Sequence, residues 1–321
     1  HHAVNNLNKK IKNLVNISRD PIIIPGGEHS KNDSNIINSL LSEFYNHNLC
    51  RNSLILVVGG GAVLDVGSYA ASIYHRGIKT IRIPSTTLSQ CDSGVAVKNG
   101  INSMGQKNMI GSFSPPVAVI NDFALLNSLD HKDFYSGFSE IVKVALLKDK
   151  NLFSEIENIS NSEYSKDKTI LHKLIKQSCL HHLSHITNSG DPFERSEARP
   201  LDLGHWSAHK LEILTNFEIT HGEAVSIGLI IDLTYGTLMG ILPPEILKRT
   251  KDILHNFKLP TTHPILKEKD NLLQGLEDFR QHLGGELCIP LISEIGVPID
   301  LNNIDIKMMK KAISLTESKS L

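Results

Sequence analysis

The chain has 321 residues, with 33 Lys and Arg against 34 Asp and Glu, for a formal net charge of -1. A balance this close to neutral, without a polybasic run, supplies no field for nucleic acid or anionic lipid, whose binding rests on clustered cations. With 40% hydrophobic residues and a length beyond what one core usually fills, the chain is read as two soluble domains.

Between residues 21 and 122, short β-rich runs alternate with helical stretches, the pattern of an open α/β sheet. The candidate strands are 22–24, 54–58, 80–83 and 117–120, and a glycine turn joins the second to a helix reaching residue 73. Segment 91–111 reads as a glycine-rich hairpin. From about residue 126 the signal is helical, with apolar positions at three and four spacing in 139–149, 171–188, 204–214, 222–239 and 244–257. Segment 258–278 reads as a loop and a short helix, 287–290 as a late strand, and 304–314 as an amphipathic helix. The longest apolar stretches, 53–59 and 224–231, are well short of the roughly 20 residues that cross a bilayer. Cys50, Cys91, Cys179 and Cys288 stand far apart, and no signal-peptide pattern opens the chain, so reduced thiols and a cytoplasmic location are expected.

Gly59, Gly60 and Gly61 follow an apolar strand and open a helix, which lets the backbone approach a pyrophosphate. The spacing G-x-G-x-x-G is absent, and a plain tight turn has the same composition. Asp65, one turn into that helix, suits a cofactor contact or the positive helix end. Thr86 and Thr87 in PSTTL stand where open sheets bind ligands, though generic turns also look like this. Asp92, Lys98, Lys107 and Asn108 would suit a phosphorylated polyol, since ammonium groups pair phosphate while carboxylate and amide bind hydroxyls. A solvated hairpin is the plainer alternative. Glu140 and Lys143 share a helix face, as surface ion pairs do. His205 and His209 are four apart, and His221-Gly222-Glu223 opens another helix. These groups offer imidazoles and a carboxylate for a divalent metal with open positions, as catalytic zinc requires. The cluster His181, His182 and His185 reads as a helix face, and Trp206 as core packing.

Taken in order, these segments resemble the sugar phosphate cyclases, the superfamily of 3-dehydroquinate synthase. The resemblance rests on GGEHSK at 26–31, GGGAVLD at 59–65, Arg76-Gly77, PSTTL at 84–88, Asp92-Ser93 with Lys98, Lys107-Asn108, GFSEIVK at 137–143, Gly204-His205 and His221-Gly222-Glu223. It implies an α/β fold: a Rossmann-like NAD-binding domain over 1–125, then a mainly α-helical metal- and substrate-binding domain over 126–321, in a homodimer. It implies Glu140, His205 and His221 as ligands of zinc or cobalt. Glu28, Lys31, Gly60, Gly61, Asp65, Thr86 and Thr87 resemble NAD-binding positions. Asp92, Lys98, Lys107, Asn108, Lys143, Glu194 and His209 resemble positions that hold a sugar phosphate or its reacting centre. The implied reaction is a redox-neutral cyclisation, in which NAD transiently oxidises a ring carbinol, phosphate leaves, and NADH restores the alcohol before ring opening and an internal aldol.

Departures from 3-dehydroquinate synthase fall where that enzyme binds a carboxylate. Asp202, in RPLDLGH at 199–205, replaces an amide; Ala198 stands where an arginine is expected; no lysine lies near Ser184; and FRQHLGGEL at 279–287 replaces a lysine-rich segment. Fewer cations and an added acid favour hydroxyls over a carboxylate. Two of these segments resemble the branch acting on sedoheptulose 7-phosphate, which includes 2-epi-5-epi-valiolone synthase. That branch usually lacks the second histidine kept here as His209, and 204–212 resembles cyclase-like proteins of ebo clusters. The alternatives are a true 3-dehydroquinate synthase, a metal-dependent polyol dehydrogenase and a non-catalytic binding protein that retains the fold.

Overall fold

A computed structural model describes residues 20–188, 193 and 200–318. It divides into two compact units, one ending at Phe134 and one beginning at Tyr135.

In the first unit, the aliphatic run of β1 (Leu54–Gly59) feeds directly into helix α2 (Gly61–Ile73), preceded in the chain by helix α1 (Ser34–Asn46). Strands β1, β2 (Lys79–Pro84) and the short β5 (Ala118–Val119) form a parallel sheet in the order β1-β2-β5. Leu64, Val66, Ala70 and Ala71 of α2 are buried, and the last three join Ile37, Leu40 and Phe44 of α1 in one core cluster. The Asp33 side chain caps α1 by accepting from the Asn35 N–H at 2.9 Å.

Two segments differ from the sequence expectation. Residues 22–24 form no strand: Pro21 and Pro25 flank them and have no N–H for a ladder, so Ile22 and Ile24 only pack against the core. Segment 91–111 is not hairpin throughout. Asp92 lies on a helical turn, Ser89–Ser93, and the antiparallel strands are β3 (Lys98–Ser103) and β4 (Gln106–Phe113). Gly100 faces Gly111 across them, where a Cβ on Gly111 would lie 2.4 Å from the Asn99 carbonyl oxygen.

The second unit is mainly helical. After α3 (His131–Ser136), in which the unit boundary falls, come α4 (Phe138–Lys148), α5 (Lys150–Ser160) and α6 (Lys168–Asn188). Helices α7 (His205–Leu214), α8 (His221–Leu238) and α9 (Pro244–Asn256) follow. Residues 224–236 of α8 are all buried, which makes this helix the centre of the unit. A capping box starts it: Thr220 N–H donates to Glu223 Oε2 at 2.8 Å, and Glu223 N–H donates to Thr220 Oγ1 at 3.3 Å.

The expected loop and short helix over 258–278 is a turn, Pro264–Lys267, and a longer helix, α10 (Lys269–His282). The late strand lies further on, as β6 (Ile289–Glu294), paired with an unanticipated β7 (Val297–Leu301) whose residues are half-buried or exposed. Helix α11 (Ile306–Glu317) closes the described chain. None of the four cysteines is in a disulfide. Among the described residues, no helix is long and apolar enough to cross a membrane.

Candidate active site

Three helices of the second unit bring Glu140, His205 and His221 together, with one ligand atom of each within 4.8 Å of the others. Glu140 sits in the first turn of α4, and His205 and His221 open α7 and α8. His205 Nε2 and His221 Nε2 each lie 3.4 Å from Glu140 Oε1. Donors about 2.0–2.1 Å from a tetrahedral metal are roughly 3.3 Å apart, so this spacing is that of a coordination shell.

The other ring nitrogens are already used. His205 Nδ1 donates to the Leu203 carbonyl oxygen at 3.1 Å, and His221 Nδ1 donates to Glu212 Oε2 at 2.9 Å. Both Nε2 lone pairs are thereby left for a cation. Glu140 is 1% exposed, and neither of its oxygens receives a well-formed hydrogen bond. These donors fit a divalent zinc or cobalt ion. Burial alone would raise the Glu140 carboxyl, but the charge of Lys143 beside it, with the two imidazoles, holds it well below the ordinary carboxylate range.

His209, one turn beyond His205, has its ring centroid 5.5 Å from that of His205 and 5.9 Å from that of His221. Asp202 is half-buried on the turn Pro200–Asp202, which packs against α4. Glu194, with Ala198, lies outside the described residues.

Close glycine contacts set the helices. A Cβ on Gly222 would fall 1.9 Å from the Ser136 carbonyl oxygen, and one on Gly228 would fall 2.1 Å from the Gly204 carbonyl oxygen. Gly204 itself has φ +80°, a conformation that favours glycine. Asp232, one turn beyond Gly228, is 1% exposed and accepts from Gly204 N–H at 2.8 Å and Trp206 Nε1–H at 2.7 Å. Burial pushes its carboxyl up to about 7, against the pull of those two donors.

In the first unit, Lys31 is buried at 3% exposure. Its ammonium donates to Asp65 Oδ2 at 2.6 Å and to Asn108 Oδ1, and lies 3.5 Å from Glu28 Oε1. Lys107 Nζ is 3.7 Å from the same Glu28 oxygen. Asn102 ties these groups together by donating to Asn32 Oδ1 at 2.9 Å and to Glu28 Oε1 at 3.3 Å while accepting from Asn108 N–H at 2.9 Å.

At the glycine turn, a Cβ on Gly60 would meet Thr86 Cγ2 at 3.0 Å, and one on Gly61 would meet Ser93 Oγ at 2.9 Å. Ser93 Oγ and Thr87 Oγ1 are buried without hydrogen-bond partners. A bare helix start beside unused hydroxyls fits a dinucleotide phosphate. Asp92 and Lys98 are half-buried, on the turn before β3 and at its first residue.

Sequence reasoning missed Glu212, Asp232 and Asn102. Glu212 shares the face of His205 and His209 by helical period, and Asp232 is a lone acid in an apolar run; both signals were legible. Asn102 had none beyond its place in the hairpin.

The description 3-dehydroquinate synthase N-terminal matches residues 21–136, and 3-dehydroquinate synthase C-terminal matches residues 137–279. The 3-dehydroquinate synthase of Acinetobacter baylyi is 33% identical over 295 residues, covering 91% of this chain and 80% of that protein. The solved structure of 2-epi-5-epi-valiolone synthase from Streptomyces hygroscopicus subsp. jinggangensis 5008, with NAD+ and Zn2+ bound, is 26% identical with a TM-score of 0.86, covering 92% of this chain and 82% of that one. A 2-deoxy-scyllo-inosose synthase complexed with carbaglucose-6-phosphate, NAD+ and Co2+ shares the fold at 23% identity and a TM-score of 0.81, covering 97% of this chain and 86% of that one. The two matched regions span most of the sequence, and the chain belongs to the 3-dehydroquinate synthase-like superfamily of sugar phosphate cyclases.

Proposed function

We propose that the chain is an NAD- and divalent-metal-dependent cyclase acting on a sugar phosphate that carries no carboxylate, such as sedoheptulose 7-phosphate. The observation that carries this reading is Asp202. This acid stands on the turn leading into His205 and packed against the Glu140 helix, while Lys143 is already paired to Glu140. A carboxylate substrate would meet an acid there, whereas a hydroxyl would find an acceptor.

In this reading Glu140, His205 and His221 hold zinc or cobalt through Oε1, Nε2 and Nε2. Glu28, Lys31, Gly60, Gly61, Asp65, Thr86 and Thr87 hold NAD. When bound, the ion supplies a Lewis acid for a carbinol oxygen and NAD a reversible hydride acceptor. Lys98, Lys107 and Asn108 bind the phosphate, whose own oxygen accepts the proton next to the oxidised carbon. Asp92, Glu194 and Asp202 orient hydroxyls. Lys143 and His209, beside the metal ligands, hold and move the carbinol proton. A homodimer is the assembly expected of such an enzyme.

A second reading, 3-dehydroquinate synthase, is favoured by the 33% identity to the Acinetobacter baylyi enzyme. Phosphate release by the zinc-loaded protein with NAD separates the two. Release from sedoheptulose 7-phosphate without net NADH supports the neutral-sugar cyclase. Release only from the carboxylate-bearing precursor of 3-dehydroquinate supports the second reading, and net NADH formation would instead indicate a polyol dehydrogenase.

A further inference from the structure

Asp232 is a buried carboxylate that none of the proposed chemistry uses. Among the described residues no cation pairs with it, and its two oxygens accept from Gly204 N–H and Trp206 Nε1–H. Those donors belong to the residues on either side of His205. Replacing a buried charge by an apolar residue of similar size is often neutral or stabilising, so stability alone does not account for it.

We infer that Asp232 is a positioning residue for His205, acting through Gly204 and Trp206, and that the grip of the site on a divalent metal depends on it. The inference rests on the metal reading proposed above. It follows from a difference between the two histidines. The His221 ring is oriented by a side chain, Glu212, which acts on the imidazole itself. Among the described residues, no side chain holds His205 Nδ1 in this way: its hydrogen bond goes to the Leu203 carbonyl oxygen, two residues back in its own chain, at 3.1 Å. Where the His205 Nε2 points is therefore set by the local backbone, and that backbone turns through the left-handed Gly204 immediately before the ligand.

Helix α8 holds this turn at three places. Gly228 lets the Gly204 carbonyl approach, Asp232 Oδ2 binds the Gly204 N–H, and Asp232 Oδ1 binds the indole of Trp206. His221, Gly228 and Asp232 share one face of α8 by its period of about 3.6 residues. The helix that carries one proposed ligand thus fixes the backbone of another. Only a carboxylate serves both donors at once. An amide would turn an N–H toward one of them, and an apolar residue would leave both unpaired.

The test compares wild type, Asp232→Asn and Trp206→Phe, each stripped of metal and loaded with Co2+. Circular dichroism checks the fold. Chelator competition gives Co2+ affinity, and the visible Co2+ absorption reports ligand geometry. Trp206 is the only tryptophan and 1% exposed, so its emission follows the clamp in wild type and Asp232→Asn.

The expected result is a folded Asp232→Asn protein that binds Co2+ about tenfold or more weakly, with a changed visible band and a Trp206 emission response to Co2+ smaller than that of wild type. Trp206→Phe, which keeps the Gly204 bond, is expected to move affinity and band the same way by less. Wild-type affinity and band in folded Asp232→Asn would overturn the positioning role. If Asp232→Asn does not fold, Trp206→Phe decides: an unchanged band and affinity overturn the inference, and a weakened site supports it. Failure of the wild type to bind Co2+ would overturn the metal reading itself, and the positioning role with it.

Discussion

Replacing Gly222 by alanine should pull the proposed metal ligands apart. Gly222 follows His221 directly, and a Cβ there would lie 1.9 Å from the carbonyl oxygen of Ser136, which also accepts from Ser139 Oγ at 3.0 Å just before Glu140. A backbone carbonyl cannot swing aside as a long side chain can. Restoring an ordinary contact requires α8 and the Ser136 end of α3, which leads into α4, to separate by about 1.5 Å, several times the roughly 0.2 Å tolerance of a ligand distance. Overpacking of this kind costs about 1–3 kcal/mol. The Gly222→Ala protein should unfold at lower urea than wild type in the metal-free state. Added Zn2+ should raise its midpoint by less than it raises that of wild type, because the distortion acts on Glu140 and His221 together. Equal stability and an equal zinc-induced shift would refute the reasoning.

Glu212→Gln keeps the shape of the side chain but removes the charge behind His221 Nδ1, and should weaken zinc affinity by about tenfold or more in chelator competition. The carboxyl of Asp232 is pushed up to about 7, above its ordinary 3.8. Between those values the folded chain keeps a proton that the unfolded chain has lost, so this group's contribution to stability declines as pH rises through that window and levels off above it. Metal-free wild type should therefore lose on the order of 1–3 kcal/mol more than Asp232→Asn between about pH 5 and about pH 8 in urea unfolding; parallel profiles would contradict this. Lys31→Met strips Asp65, Asn108 and Glu28 of their shared cation. It should cost about 2 kcal/mol of stability and weaken NAD binding by calorimetry, and unchanged NAD affinity would remove Lys31 from the proposed cofactor set.

The parts of the fold legible in the sequence are those governed by local pattern. The aliphatic strand running into Gly59, Gly60 and Gly61 reads as strand, turn and helix because each piece has its own periodicity, and the structure has β1 and α2 there. The helices carrying His205 and His221 were equally plain. The run at 22–24 was misread because its isoleucines look like a strand while its flanking prolines forbid a ladder. Strand β7 escaped because Pro298 and a largely exposed face leave little apolar alternation.

At the candidate site, His205 and His209 are visible as a helical pair, whereas Glu140 is remote in sequence and joins His205 and His221 only because α8 packs against both α4 and α7. Spacing within one helix cannot reveal such a meeting, so Glu140 came from the resemblance alone. Glu212 and Asp232 are not ligands by position: Glu212 meets the far side of the His221 ring, and Asp232 meets the residues on either side of His205, so neither stands out by ligand spacing.

Zinc binding measured directly on metal-free protein tests the central claim, that Glu140, His205 and His221 form a divalent-metal centre. Equilibrium dialysis should give a single tightly held ion per chain, lost in His205→Ala and in His221→Ala while both variants still bind NAD through the first unit. Retention of the ion at wild-type affinity in either variant would contradict the account.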